Sequence, residues 1–368
     1  MSDIYLGSLA NVIDENGILW MSEYLFNSLF AYDIKAGEIS YKGIFKNEDK
    51  NILYQHNNAF NYTDRIIFTP LLGSSIGIYT KSKGTFDSIS VPKVDSNEEF
   101  FQACRLNENI FFASNKGQVF RYNVVNNHLV ADIELAEEMA KSFDLTHSSI
   151  SQCDVGFVVV DNNKIFLVNV VELSIKMILD WSSKQYVLGE AYLFDNYLWI
   201  TLKNNQMIFL YDQKNNEVTS YYPENESWLL GRNINPYSLL KKYNGHVLIS
   251  NFYCNHISYI DKKNKLIKFI PNLQSYKVLE KNGYGPVYYA MHEYDGDLYF
   301  IPTRGNVLLK VNRSMEIIYS QELLFNSKDF KELEIIRWER LKREAKNGVV
   351  KEQALVCLED FVKEIVEG

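Results

Sequence analysis

Gly17-Ile-Leu-Trp20-Met-Ser-Glu-Tyr-Leu-Phe-Asn-Ser-Leu-Phe30-Ala-Tyr-Asp33-Ile-Lys-Ala-Gly37-Glu-Ile-Ser-Tyr41 decides the fold. An apolar run from Ile18 to Met21 passes through a polar connection into a second run from Leu29 to Ile34. Lys35-Ala36-Gly37 then turns the chain into Glu38 to Phe45. Such a three-stranded ribbon exposes an apolar face and two open edges and is not stable alone. Further copies must stack on it, and the chain contains them.

The copies appear when each is anchored on the apolar residue 13 positions before its turn residue. Trp20 to Asp33, Ile67 to Thr80, Trp199 to Asp212, Leu248 to Asp261 and Tyr299 to Asn312 keep that spacing, and Ile110 to Asn123 and Gly156 to Asn169 keep it with a degenerate anchor. The seven turn residues follow one another at 47, 43, 46, 43, 49 and 51 positions. Units of this length, rich in strand signals and without a helix of their own, make a β-propeller in sequence. Asp and Asn suit the turns because their side chains bond the backbone two residues on. The expectation is an all-β chain, a seven-bladed β-propeller of four-stranded blades with a C-terminal α-helical pair. Residues 1–325 form the propeller and 326–368 the helical extension.

Composition agrees. No Pro/Gly/Ser-rich linker divides the 368 residues, and repeat stacking explains how so long a chain stays one body. Aromatic residues make up 14%, with 25 Tyr and 22 Phe, which favours sheet. A net charge of −8 without a polybasic cluster argues against nucleic acid and anionic membrane surfaces. No apolar run reaches the ~20 residues that span a bilayer. Cys104, Cys153, Cys254 and Cys357 sit in different units without pairing or metal-ligand spacing, and the start carries no secretory signal pattern. A cytoplasmic, reduced setting is the simplest expectation.

Three stretches break the repeat. Leu135 to Leu145 favours a short surface helix by propensity. The connections Pro223 to Pro236 and Asn272 to Pro286 are longer than the others. After Phe325, Asn326-Ser327 opens a helix from Lys328 to Lys346, and a second follows from Val349 to Val366 with Val350, Ala354, Leu358, Phe361 and Ile365 on one stripe. That stripe either covers a propeller edge or docks a partner.

The pattern of Gly17-Ile-Leu-Trp20 with Leu29-Phe30-Ala-Tyr32-Asp33 and Gly37-Glu-Ile39, repeated as Tyr197-Leu-Trp199, Ile208-Phe-Leu-Tyr211-Asp212 and Asn216-Glu-Val218, resembles bacterial propeller repeats. Virginiamycin B lyase-like proteins, sensor propellers of two-component regulators, and NHL- and kelch-like propellers are similar. The resemblance covers about residues 8 to 323 and rests on strand and turn residues, so it implies fold rather than function. A lyase of that kind implies a catalytic His with carboxylates placing a magnesium ion. His56, His128, His147, His246, His256 and His292 lie at unrelated phases of their units, and no set matches that pattern.

No phosphate loop, nucleophile elbow, HExxH or CxxC is present. No catalytic, cofactor or metal residue is therefore assigned, and Asp295-Gly-Asp297 reads as a hairpin turn rather than a calcium loop. Trp20 and Trp199 read as inter-blade core, while Trp181 and Trp228 lie in connections, where an exposed aromatic can stack on a ligand. Propeller ligands gather where loops converge at the channel mouth. There the sequence places Tyr24, Lys116, Lys203, Arg232, Tyr253, His256, His292 and Arg304. The two long connections flank unit six and add Trp228, Tyr276, Lys277 and Tyr284, so the expected footprint lies on units five to seven. Its ligand-binding residues are Trp228, Arg232, Tyr253, His256, Tyr284, His292 and Arg304. Aromatics beside cations are the usual makeup of a binding hot spot. The expected function is a non-catalytic binding or scaffold propeller that holds a peptide, glycan or protein partner on one face. The alternative is a lyase-, lactonase- or cyclase-type enzyme with a channel-mouth metal.

Overall fold

The computed structural model describes residues 3–23, 27–48, 52, 54–145, 148–203, 205–224, 237–251, 257–270, 287–304, 307–326, 333 and 335. Strand β1 (Asp3–Tyr5) leads into the first antiparallel meander, β2 (Ser8–Ile13), β3 (Ile18–Glu23), β4 (Ser28–Asp33) and β5 (Glu38–Ile44). The second sheet is β6 (His56–Tyr62), β7 (Arg65–Pro70), β8 (Ser75–Thr80) and β9 (Thr85–Ser90). The third is β10 (Cys104–Leu106), β11 (Asn109–Ala113), β12 (Val119–Asn123) and β13 (His128–Ala131). Helix α1 (Ile133–Ser142) separates it from β14 (Ser149–Cys153), β15 (Gly156–Asp161), β16 (Lys164–Asn169) and β17 (Ser174–Asp180).

Eight strands follow in one sheet: β18 (Leu188–Phe194), β19 (Tyr197–Leu202), β20 (Asn205–Asp212), β21 (Glu217–Pro223), β22 (Tyr237–Tyr243), β23 (His246–Asn251), β24 (Ile257–Asp261) and β25 (Leu266–Phe269). A last four-stranded sheet holds β26 (Val287–Tyr294), β27 (Asp297–Arg304), β28 (Val307–Val311) and β29 (Ile317–Glu322). Finally β30 (Leu324–Asn326) returns to pair antiparallel with β1, joining the two ends of the chain.

This arrangement corrects two expectations. Five four-stranded blades stand as separate sheets, not seven. The units around Trp199 and Leu248 are fused, because β21 and β25 pair in parallel through Tyr222↔Leu266 and Pro223↔Ile267. The C-terminal helical pair is not part of the described architecture, whose one complete helix is α1. Leu333 and Ile335 are helical, and the rest of the expected pair lies outside the described residues.

The turn chemistry is as the sequence indicates. Asp33 Oδ1 accepts from the amides of Lys35 (2.8 Å) and Ala36 (3.0 Å), and Asp212 Oδ1 accepts from those of Lys214 (2.9 Å) and Asn215 (3.2 Å). Asn123, Asn169, Asp261 and Asn312 hold the same turn, while Thr80 makes no such bond among the described residues. Gly37 takes positive φ there, as the tight reversal demands.

The core lies between neighbouring sheets. Ala10, Trp20 and Leu29 pack on Phe45, Ile66 and Phe68, and Ile67, Ile76 and Ile78 pack on Ile110, Phe112 and Phe120. Each strand therefore sends alternate side chains to the blade on either side, and both faces are apolar. Trp20 and Trp199 are buried in this way. At about 1.5–3 kcal/mol per fully buried large side chain, these faces dominate the stability. The ring closes where Leu19, Met21, Phe30 and Tyr32 meet Tyr299, Ile301, Leu308 and Phe325. Leu135 and Met139 of α1 plug the gap between the third and fourth sheets.

Candidate functional site

In each meander the first strand is innermost, so its free edge faces the axis. β2, β6, β10, β14, β18, β22 and β26 all contribute to the lining of one cavity of about 590 Å³. Side chains on these strands tie neighbours together around the axis. Asn58 Oδ1 accepts from the Ala103 amide (2.7 Å), and Arg105 donates to the Asn61 carbonyl (2.8 Å). Ser149 donates to the Gly189 carbonyl at 2.7 Å and Ser151 to that of Ala191. Lys242 pairs with Asp195. Lys241 Nζ donates to the Met291 carbonyl (2.5 Å), and His292 bonds to Asn11 (2.7 Å), which links the last sheet to the first.

Burial displaces proton affinities on six of these seven strands: His56 on β6, Cys104 on β10, Cys153 on β14, Glu190 and Tyr192 on β18, Lys241 on β22 and His292 on β26. On β18, Tyr192 donates its hydroxyl to Glu190, whose backbone amide in turn bonds Thr201 Oγ1 at 2.8 Å. Burial pushes the Glu190 carboxyl up to about 7, against the Tyr192 hydrogen bond and the Lys203 charge, which favour the carboxylate. Tyr192 is driven well above the usual phenol value by burial and by Glu190. On β22, burial lowers the Lys241 ammonium. On β26, burial and the neighbouring Lys241 charge hold His292 down to about 3.

His292 is thus neutral at physiological pH, and its tautomer is fixed. Asn11 Nδ2 donates to the carbonyls of Ser8 (3.0 Å) and Leu9 (3.2 Å), so Asn11 presents Oδ1 to the imidazole. An amide oxygen only accepts, so Nε2 carries the proton and Nδ1 keeps a lone pair. Displaced proton affinities beside a cleft make it a candidate functional site.

A second histidine is structural. His56 Nδ1 bonds Ser22 Oγ at 2.8 Å, and the ring packs edge-on to Phe45 with centroids 4.6 Å apart. Burial lowers it to about 3, Nε2 has no partner, and the carbon that an alanine at Gly77 would add lies 3.1 Å from it. Substrate cannot reach so filled a site. Among the described residues no three His, Cys, Asp or Glu side chains group as metal ligands. No described helix is long and apolar enough to cross a membrane.

Of the residues singled out by sequence, His292 enters the cavity, but from within strand β26 and not from a loop, which corrects its placement. Arg304 ends β27, opposite Val287, where the sequence suggested a loop before the third strand. Trp228, Arg232, Tyr253, His256 and Tyr284 lie outside the described residues, as do Tyr24, Tyr276 and Lys277. Lys116 pairs with Asp95 at 3.2 Å on the surface. Trp181 is buried against Phe209, with centroids 5.0 Å apart, and offers no exposed platform. Sequence reasoning missed Glu190, Tyr192 and Lys241, although a charged residue inside an apolar inner strand was a signal for the first and the last.

No sequence model of a known family and no curated protein matches the chain. Solved structures do. Virginiamycin B lyase from Staphylococcus aureus superposes with a TM-score of 0.55 at 14% identity, over 82% of this chain and 95% of that one. The extracellular domain of a putative hybrid two-component system from B. thetaiotaomicron reaches 0.57 at 11% identity, over 82% of this chain and 38% of that one. A computationally designed protein, Ika8, reaches 0.52 at 7% identity, over 87% and 88%. The chain is a β-propeller. At these identities the likeness is one of fold, so chemistry must be read from the cavity.

Proposed function

We propose that this propeller is a non-catalytic binding or scaffold protein that holds a peptide, glycan or protein partner on one face of units five to seven. The observation that carries the reading is that β18, β22 and β26 bring Tyr192, Lys241 and His292 together in the lining of the cavity. By chain order, residues 224–236 and 270–286 lead into the starts of β22 and β26. Trp228, Arg232, Tyr253, His256, Tyr284, His292 and Arg304 are assigned to the partner contact. We count the eight-stranded sheet as two blade positions, which makes a ring of seven around the axis. The support is that β18 and β22 both line the cavity, as the first strand of a separate blade does. A joint of two parallel residue pairs between outer strands leaves those inner strands independent.

Peptide and glycan arrays with the purified chain supply the test. Replacing Trp228, Arg232 and Tyr253 by Ala should abolish the captured signal and leave the melting temperature nearly unchanged. Capture that survives these changes and vanishes when residues 326–368 are removed would place the contact on the C-terminal segment instead.

The enzyme reading, of a lyase, lactonase or cyclase type, has one observation in its favour: a neutral His292 whose Nδ1 lone pair is left as an acceptor beside the cavity. A stoichiometric divalent ion in the purified protein, lost on His292→Ala, would favour it over binding alone.

A further inference from the structure

Lys241 is a charge that no ion pair among the described residues accounts for. It sits on an inner strand, where its ammonium reaches the Met291 carbonyl of the next inner strand. The carboxylate it feels is Glu293, which is exposed and makes no bond to it. Arg105, on β10, is likewise without a carboxylate. Its guanidinium donates to the carbonyls of Asn61 (2.8 Å) and Asn107 (3.0 Å) and lies over the Tyr62 ring at 4.9 Å. By contrast Lys242, one residue on, has Asp195. Among the described residues the cavity lining carries three cations, Lys241, Arg105 and Lys242, against two carboxylates, Asp195, which pairs with Lys242, and Asp154, so Lys241 and Arg105 stand there without an ion pair of their own.

An isolated buried cation is costly, and a carbonyl bridge needs only a neutral donor. An ammonium kept there is explained if a bound anion completes its solvation. The other groups at hand suit the same role. The carboxamides of Gln102 and Gln152 line the cavity, and neutral His292 adds no competing charge. Low-dielectric walls around this small excess of positive charge also focus the field on an entering anion.

We propose that the cavity is a binding site for a small multivalent oxyanion, a phosphate or a di- or tricarboxylate, seated on the Lys241 ammonium with Arg105 and the Gln102 and Gln152 carboxamides around it. The site needs no macromolecular partner, and the proposal does not rest on the face contact argued above. The two sources of such an anion are separated by titrating with sodium phosphate and, apart from it, with sodium citrate.

Isothermal titration at constant ionic strength tests it on the full chain. One of the two anions should bind saturably at one site per chain. Lys241→Met, which keeps the stem and removes the charge, should weaken binding at least tenfold, and Lys241→Arg should restore most of it. Should Lys241→Met fail to melt cooperatively, Arg105→Met carries the same comparison, with a severalfold loss expected. Absence of saturable heat with both anions overturns the proposal. So does an affinity that both substitutions leave unchanged, which would mark an adventitious ion only.

Discussion

Glu190 should make the stability of this protein fall with pH across the neutral range, and Glu190→Gln should remove that fall. Its carboxyl is raised from 4.5 to about 7 in the folded chain by burial. Between those two values the folded state keeps a proton that the unfolded state has released. Stability is therefore fully present below the unfolded value and lost as pH rises through the folded one. At about 1.4 kcal/mol per pH unit, the difference amounts to about 3 kcal/mol between pH 4.5 and 7. That is an upper figure, because the side chain keeps some surface open. His56 and His292 act in the opposite sense. Both are held down to about 3, so stability is lost as pH falls from their unfolded range toward that value. The wild-type profile is thus a composite, and the comparison with the variant isolates Glu190. Urea unfolding at half-unit steps from pH 4.5 to 8 reads it. Wild type minus Glu190→Gln should decline steadily to about pH 7 and then level. Two parallel profiles would refute the assignment of a protonated, buried Glu190.

Backbone and ring closure give two more expectations. Gly156→Ala should cost well over ~2 kcal/mol, since its added carbon would lie 2.3 Å from the Val168 carbonyl at φ +146. Gly37→Ala, at φ +72 with nothing within 4 Å, should cost only about 1 kcal/mol, and chemical denaturation of the pair separates close approach from φ alone. Deleting residues 1–5 removes the β1–β30 pairing and should lower the melting temperature. It should also raise amide exchange in β26 to β29 and in β2 to β5 more than in the sheets between.

Much of this fold is legible in the chain because a blade's geometry is local. The Asp or Asn that closes the turn after each third strand carries its own hydrogen bonds, and an apolar residue 13 positions earlier must enter an inter-blade core. Trp20 and Trp199 follow from that rule alone. The fusion of β21 to β25 has no such signature, since two parallel pairs between outer strands leave the periodicity of both segments intact. The cavity is harder still. In a blade the alternation of side chains is shared between two neighbours, and only the edge of the first strand looks inward. A residue such as Glu190, in Leu188-Gly-Glu-Ala-Tyr192, therefore reads as an imperfect strand until its neighbours are known. Trp181 shows the reverse case. A tryptophan in a connection can stand exposed and stack on a ligand, yet Trp181 is buried and its ring completes a core.

The placement of the partner on units five to seven is tested most directly by hydrogen–deuterium exchange of the chain with and without a peptide or glycan taken from the arrays. The account predicts slowed exchange in residues 224–236, 252–256 and 270–286 and in strands β18, β22 and β26, with the remaining sheets unchanged. Protection confined to β2 through β17, or to residues 326–368, would contradict it.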